Sequence, residues 1–177
     1  YQTVFATNMG SIAAPTAGLH FSKNLFKTLK QKGIAIETVT LHVGYSTFKP
    51  VAATNIKDHK MHAEKLYFSQ DTSARLTQYK KDGRRLISVG TTSTRALETM
   101  YNGYVFSYGS TSSDLFISPG YQFKCVDSLI TNFHLPKSSL LMLVSALTGV
   151  EFMKQAYVEA IKYQYRFYSF GDAMLIL

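Results

Sequence analysis

The stretch from Asp127 to Val144, DSLITNFHLPKSSLLMLV, constrains the fold more than any other part of the chain. A short apolar strand ending near Thr131 is followed by a polar turn and then by an apolar run typical of a helix. The first N–H groups of a helix have no partner inside the helix, and the helix dipole favours negative charge there. A strand, a polar turn and a helix in this order therefore predict an α/β unit with an anion site at the turn.

Length and composition favour one globular domain, residues 1–177, of which 46% are hydrophobic and 17% charged. The apolar run 140–147 is far shorter than the roughly 20 residues that span a bilayer, so no membrane segment is expected. A single cysteine, Cys125, excludes an internal disulfide and is consistent with a reducing, cytoplasmic location. Lys and Arg outnumber Asp and Glu by 19 to 11, and the formal charge of +8 favours a polyanionic partner.

Helical and strand-like segments alternate along the chain, which indicates an α/β fold with a mainly parallel sheet, open or closed into a distorted β/α barrel. Helices are predicted to start near Ser22, Ser69, Gly90, Ser138 and Glu151, and strands to lie at 34–43, 85–89, 115–117, 123–131 and the C-terminus, with a loop at 102–113. Polar corners follow three strands, at 42–44, 90–94 and 132–137. Since ligands bind at the carboxyl ends of such strands, we expect the three corners to share one site.

The turn GTTSTR, residues 90–95, places hydroxyls and free amides at the start of a predicted helix. Gly90, Thr91 and Thr92 could cradle a carboxylate or a phosphate, with Arg95 one turn further on. Thr and Ser are also the ordinary caps of such a helix, so the turn has a purely structural interpretation as well.

Histidines are the groups in this chain best suited to proton transfer near neutral pH, and there are five: His20, His42, His59, His62 and His134. His20 and His134 are the leading acid/base candidates. His59 and His62 are three residues apart and would share a helix face. Without a third well-spaced ligand, packing or substrate contacts are expected of them rather than a metal site.

Six sequence blocks occur in an order that is specific to one family. They are AAPTAGLHF (13–21), TLHVGYSTFKPV (40–51), DHKMHAE (58–64), GTTSTRALE (90–98), NFHLPKSSLLMLV (132–144) and YRFYSFGDAMLI (165–176). Together they resemble the signature of the S-adenosylmethionine:tRNA ribosyltransferase-isomerase family of queuosine biosynthesis. The resemblance covers only the C-terminal half of the family's enzyme. It therefore implies a partial catalytic main domain that lacks the family's inserted small β-barrel domain.

The resemblance implies a specific reaction: transfer of the ribosyl part of S-adenosylmethionine to the aminomethyl-deazaguanine wobble base of a tRNA. Isomerisation then gives epoxyqueuosine, and adenine and methionine are released. The positive sulfur acidifies the adjoining ribose methylene, so a positioned base can remove a proton while an acid assists adenine as it leaves. S-adenosylmethionine is then the cosubstrate, no metal is needed, and the enzyme is expected to be a cytoplasmic monomer that binds tRNA.

Positions in the matching motifs suggest roles for individual residues. His20 or His134 is expected to transfer protons. Asp58 or Asp172 is expected to contact the hydroxyl groups or the sulfonium of the cosubstrate. Anionic groups are expected at Thr91, Thr92 and Arg95. The remaining expected substrate contacts are His42, Gly44, Thr47, His59, His62, Gly90, Asn132 and Lys137.

The sequence also departs from the family pattern. Tyr45 and Ser46, in HVGYSTF, stand where the family usually has small residues and a glycine, and this bulkier loop is expected to alter the pocket. The chain begins at Tyr1 rather than at a methionine, which suggests a fragment that could be inactive alone. The alternative function is a basic α/β RNA-binding module without catalysis, in which the Ser/Thr turn holds a backbone phosphate. A hydrolase is not favoured, because the sequence lacks a GxSxG elbow.

Overall fold

Five α-helices and six short β-strands form the computed structural model, which describes residues 1–44 and 61–177. The helices are α1 (Lys23–Gln31), α2 (Gln70–Lys81), α3 (Thr91–Met100), α4 (Ser139–Thr148) and α5 (Val150–Lys162). The strands are β1 (Thr40–His42), β2 (Glu64–Phe68), β3 (Ile87–Val89), β4 (Gly109–Ser113), β5 (Ser128–Asn132) and β6 (Ala173–Ile176). A short 3₁₀ helix, Thr16–His20, precedes α1. These elements confirm the predicted α/β class.

Serine side chains cap three of the helices at their first turn. In each case the serine Oγ accepts the backbone N–H group three residues later, at 3.1 to 3.2 Å: Ser22 for α1, Ser69 for α2 and Ser138 for α4. Such a cap typically stabilises a helix by about 1 kcal/mol. By contrast, α3 and α5 follow Gly90 and Gly149, and no side chain in the described residues caps either of them.

The strands form two three-stranded sheets, in the orders β1-β2-β4 and β3-β5-β6. All pairs in the first sheet are antiparallel, and in the second β3 runs parallel to β5 whereas β6 runs antiparallel to it. The prediction of a mainly parallel sheet is therefore wrong for the described strands. The physical reason is that α2 connects β2 in one sheet to β3 in the other, so the strand–helix–strand alternation does not produce parallel neighbours there.

Several predicted strand bounds also differ from the structure. The predicted strand 34–43 is paired only over its last part, as β1. The segment 102–113, predicted as a loop, contains β4, which pairs with β2 along its full length. The segment 115–117 forms no strand, although Ile117 is only 1% exposed and belongs to the core.

Two hydrophobic clusters hold the helices against the sheets. In the first, Leu66 and Phe68 of β2 pack against Ala96 and Met100 of α3. The second cluster surrounds Leu129 of β5, which is 0% exposed. Because α3 also contacts strands of both sheets, its position and that of β5 are fixed by buried apolar surface. Within residues 1–44 and 61–177, no helix is long and apolar enough to cross a membrane.

Candidate functional site

A half-open cavity lies where β3 and β5 end. It is lined by Ala14, Pro15, Thr16, Ala17, Val43, Gly90, Thr91, Thr92, Ser93, Thr131, Asn132, Phe133, His134, Leu135, Ser138, Leu140, Tyr168 and Ser169. The residues after β1, the first turn of α3 and the segment after β5 all contribute to this lining. The structure thus brings together the three corners that the sequence predicts to share one site.

The first turn of α3 lies against the cavity, and no side chain of the described residues caps its backbone amides. Gly90 has a φ of +91°, a conformation that favours glycine, and its N–H donates to the carbonyl of Ile130 at 2.8 Å. The Thr94 side chain turns inward and donates to the Gly90 carbonyl at 3.1 Å. Thr91, Thr92 and Ser93 line the cavity at the positive end of the helix dipole. This end of α3 is therefore suited to bind an anionic group.

Asn132, at the end of β5, offers a buried hydrogen-bond acceptor. It is 2% exposed, and its Nδ2 donates to the Tyr168 carbonyl at 3.2 Å and lies 3.2 Å from His20 Nε2. A carbonyl can only accept, so the nitrogen of the amide must face Tyr168. Oδ1 has no hydrogen-bond partner among the residues described. Leaving such an acceptor buried and unpaired costs about 1–3 kcal/mol, and the residue that carries it is among those that line the cavity.

The contact with Asn132 also defines the state of His20. An amide nitrogen only donates, so His20 Nε2 accepts, and in the neutral ring the proton lies on Nδ1. His20 itself is exposed and ends the 3₁₀ helix. His20 does not line the cavity, but it contacts Asn132, which does.

His134 lines the cavity directly and is half-buried. Its Nε2 lies 2.9 Å from Thr131 Oγ1, and its backbone N–H donates to Tyr157 Oη at 2.9 Å. Burial disfavours the charged imidazolium and lowers the pKa of His134 to about 4. The ring is therefore neutral near pH 7, and its unprotonated nitrogen can accept a hydrogen bond.

Asp172 and Lys137 lie near the cavity but do not line it. Asp172 accepts from Arg166 through both carboxylate oxygens, one from Nη2 at 3.0 Å and one from the backbone N–H at 2.8 Å. The hydrogen bond from the Arg166 side chain lowers the pKa of Asp172. These contacts close the 166–172 loop, which presents Tyr168 to the cavity. Lys137 is exposed, with a φ of +59°, in the turn between two lining residues.

Arg95, predicted to bind an anion, is directed elsewhere. It is 4% exposed, and its guanidinium pairs with Glu64 at 2.9 Å and donates to the Leu115 carbonyl at 2.8 Å. Burial lowers the pKa of Arg95, and Glu64 opposes this effect. Because its donors are used inside the protein and it does not line the cavity, the structure does not support an anion-binding role. Its contacts instead join α3 to β2.

The other predicted residues are distributed as follows. Val43 lines the cavity, whereas its neighbour His42 packs its ring against Gly10, where an added Cβ would lie 3.0 Å from Nδ1. Gly44 is half-buried beside Val43, and His62 is exposed two residues before β2. Thr47, Asp58 and His59 lie outside the described residues, as do Tyr45 and Ser46. The described residues contain no group of three or more His, Cys, Asp or Glu side chains placed to hold a metal.

Sequence reasoning did not place several of the lining residues at this site. Tyr168 has a φ of +78° and lines the cavity while its backbone carbonyl binds Asn132. Strained backbone of this kind often occurs at functional sites. The block YRFYSFGD marks the segment, but its hydrophobic pattern does not reveal that Tyr168 and Ser169 turn toward β5. Thr16 and Ala17 also line the cavity, and the block AAPTAGLHF that contains them did not reveal this either.

Comparison with known proteins agrees with the sequence blocks. Residues 1–176 match a family described as "Queuosine biosynthesis protein". The chain is 56% identical over its whole length to the S-adenosylmethionine:tRNA ribosyltransferase-isomerase of Staphylococcus haemolyticus, of which it covers 52%. It is 54% identical to the enzyme of that name from Staphylococcus epidermidis, again covering 52%. The chain thus spans about half the length of the curated relatives it matches.

A solved structure shares the fold. The chain superimposes on a crystal structure of S-adenosylmethionine tRNA ribosyltransferase from Thermotoga maritima with a TM-score of 0.76 and 44% sequence identity. The match covers 91% of this chain and 51% of that one. The predicted lack of an inserted β-barrel domain is consistent with this partial coverage and stays a prediction.

Proposed function

The chain belongs to the family of queuosine biosynthesis proteins, and we propose that it supplies the S-adenosylmethionine site of a tRNA ribosyltransferase-isomerase. The observation that carries this proposal is the combination of groups around one cavity. The lining residues include the uncapped first turn of α3, Asn132, whose buried Oδ1 has no partner among the described residues, and His134, whose ring is neutral near pH 7. An anion site, a buried acceptor and a proton acceptor suit a zwitterionic nucleoside.

The start of α3 is the proposed site for the carboxylate of the methionine part. Thr91, Thr92 and Ser93 provide backbone N–H groups that no side chain of the described protein caps, and the helix dipole adds a positive field. Arg95 acts only indirectly, since its buried contacts hold α3 in place.

Asn132 and Tyr168 are the proposed contacts of the nucleoside. Asn132 Oδ1 would accept from an adenine amino group or a ribose hydroxyl, which would remove the cost of a buried, unpaired acceptor. The Tyr168 ring lines the cavity and is half-exposed, so one face could stack on a base. His20 would fix Asn132 in the required orientation through Nε2.

His134 is the proposed proton acceptor. The sulfonium acidifies the ribose methylene next to it, and a neutral imidazole can take that proton, whereas a charged one cannot. Adenine leaves with the electron pair of its glycosidic bond and needs a proton as it does so. The conjugate acid of His134 would give the proton it has taken to the departing adenine. The ribosyl group passes to the aminomethyl nitrogen of the tRNA base, which loses a proton to solvent, and methionine leaves with the electron pair of its sulfur–carbon bond. Asp172 keeps the loop of Tyr168 closed through Arg166.

Titration calorimetry with S-adenosylmethionine tests the proposal on the 177-residue chain. Saturable binding by the unmodified chain is expected, and Asn132→Ala should weaken it about tenfold because one buried hydrogen bond is lost. Lys154→Gln is the control, since Lys154 is exposed on α5 and pairs only with Glu151 among the described residues. Absence of binding, together with steeply salt-dependent RNA binding, would favour the RNA-binding module without catalysis.

A further inference from the structure

Helix α1 presents an exposed row of lysines. Lys23, Lys27 and Lys30 are four and three residues apart, which places them on one face of the helix, and all three are exposed. The first 36 residues of the sequence contain no aspartate or glutamate. The ion pairs found among the described residues involve none of these lysines. Among the described residues, therefore, no carboxylate pairs with these lysines.

The lysines of α5 at 154 and 162 differ from this row. On α5, Lys154 lies 2.9 Å from Glu151 and Lys162 lies 3.3 Å from Glu159, so that helix neutralises its own charges. Lys23 also occupies the first turn of α1, where the helix dipole disfavours a cation. A cation at this position weakens the helix, so its presence there points to a role other than stability.

The row begins next to the cavity. Thr16 and Ala17 of the 3₁₀ helix line the cavity, and this helix ends at His20, three residues before α1 begins. Phe26, three residues after Lys23 and four before Lys30, borders the row, and its ring packs 5.6 Å from Phe5 and 5.7 Å from Phe21. These ring contacts anchor α1 beside the 3₁₀ helix, and the three lysines beside them stay exposed.

The size of the row suits a nucleic-acid strand. Seven residues separate Lys23 from Lys30, which corresponds to about 10 Å along the helix axis. Long lysine side chains spread over this length can reach neighbouring phosphates of one strand. Lysine serves as a point charge for phosphate and needs no precise geometry.

We propose that the lysine row of α1 binds the phosphate backbone of the RNA whose base enters the cavity. This inference rests on the proposed function, which supplies an RNA substrate. The row holds the strand next to the 3₁₀ helix, and the target base reaches past His20 toward Asn132. Backbone contacts of this kind position the RNA and contribute affinity without reading its sequence.

A second basic cluster provides a matched control. Lys81, Arg84 and Arg85 lie between the end of α2 and the start of β3, whereas the cavity lies beyond the other end of β3. Arg84 stacks on the Tyr79 ring at 4.7 Å, and all three side chains are exposed. Replacing them removes the same charge as replacing the α1 lysines, but on the edge of the sheet away from the cavity.

Binding of a fluorescent RNA hairpin, of the size of an anticodon stem-loop, tests the proposal through anisotropy over a series of salt concentrations. The triple variant Lys23→Gln, Lys27→Gln, Lys30→Gln should lose about fivefold in affinity per lysine at 0.1 M salt, and its salt slope should fall by about 0.7 per lysine. The variant Lys81→Gln, Arg84→Gln, Arg85→Gln should stay within about twofold of the unmodified chain, because distant charges are screened. Replacing the three α1 lysines by arginine should preserve affinity.

Three results would overturn the proposal: no RNA binding by the unmodified chain, equal loss in both triple variants, or no loss in the α1 variant. Circular dichroism should show α1 intact in the glutamine variant, because lysine and glutamine have similar helix propensities. Calorimetry with S-adenosylmethionine separates this proposal from the proposed function. The α1 variant should bind the cosubstrate like the unmodified chain. If the unmodified chain does not bind it, the proposed function fails whatever the RNA result.

Discussion

Arg95 Nη1 lies 2.9 Å from Glu64 Oε2, and the two side chains are only 5% and 6% exposed. This buried ion pair joins α3, whose first turn lines the cavity, to the first residue of β2. Strand β2 belongs to the sheet β1-β2-β4, whereas the cavity lies at the ends of β3 and β5. Two backbone carbonyls, of Leu115 and Ser113, accept further hydrogen bonds from the guanidinium. The arrangement satisfies the cation and fixes α3 against the sheet β1-β2-β4.

Replacing Arg95 by methionine should therefore destabilise the protein strongly. The substitution breaks a buried ion pair, and removing one partner of such a pair typically costs about 3–5 kcal/mol. Denaturant unfolding followed by circular dichroism measures the change. Lys154→Met is the control, because Lys154 pairs with Glu151 at 2.9 Å with both side chains exposed, and its loss should be minor. Equal effects of the two substitutions would contradict the structural role of Arg95.

Glu98 is expected to be a second buried anchor of α3. Its carboxylate, 0% exposed, accepts the backbone N–H groups of Lys124, Cys125 and Val126 at 2.8 to 3.0 Å, and the Tyr121 hydroxyl at 3.0 Å. Glu98→Ala leaves several buried donors unpaired, at about 1–3 kcal/mol each, and should lower the free energy of unfolding by more than Glu98→Gln does. Glutamine retains one accepting oxygen. If both variants unfold at the same denaturant concentration, the network does not stabilise the fold.

The pH dependence of stability should reflect His134. Its pKa is about 4 in the folded protein, below the ordinary value of 6.5, so the unfolded chain binds the proton more tightly. The stability due to the neutral ring is complete above pH 6.5 and is lost as the pH falls toward 4, by an amount on the order of 3 kcal/mol. His134→Gln should flatten this part of the stability curve. An unchanged slope in the variant would show that His134 titrates normally.

Gly90→Ala should separate strain from ligand binding. At a φ of +91° alanine is strained although its Cβ would have room, 3.7 Å from Ala17 Cβ, and a loss of about 1–2 kcal/mol is expected. Gly120→Ala is the matched control, because Gly120 has a φ of +99° with nothing near its Cβ and does not line the cavity. Thermal unfolding should show similar losses for both variants. Calorimetry should show weaker binding of S-adenosylmethionine for Gly90→Ala alone.

Local signals in the sequence predicted the helices well. Ser22, Ser69 and Ser138 each precede an apolar pattern, and each caps a helix in the structure. The strands were harder to predict because their pairing is not local. The residues of β4, GSTSS, lack apolar alternation and become a strand only because β2 offers them a partner.

The site was predicted only in part, because some of its contacts are local in the sequence and others are not. The corners at Gly90 and Asn132 were predictable, since each follows a strand and precedes a turn or helix. The direction of Arg95 was not, because its partner Glu64 lies 31 residues earlier in the chain. The orphaned Oδ1 of Asn132 also depends on distant groups, His20 and the Tyr168 carbonyl, which occupy Nδ2 and so orient the amide.

Both anchors of α3 reach away from the cavity, Arg95 toward β2 and Glu98 toward the segment before β5. Both contacts hold α3, and the N-terminus of this helix carries the uncapped amides of Thr91 and Thr92. Weakening either contact would tilt the first turn of α3. The backbone amides of Thr91 and Thr92 would change orientation although no cavity-lining residue had been substituted. A conservative substitution of Arg95 or Glu98 would then weaken the binding of S-adenosylmethionine before it unfolded the protein.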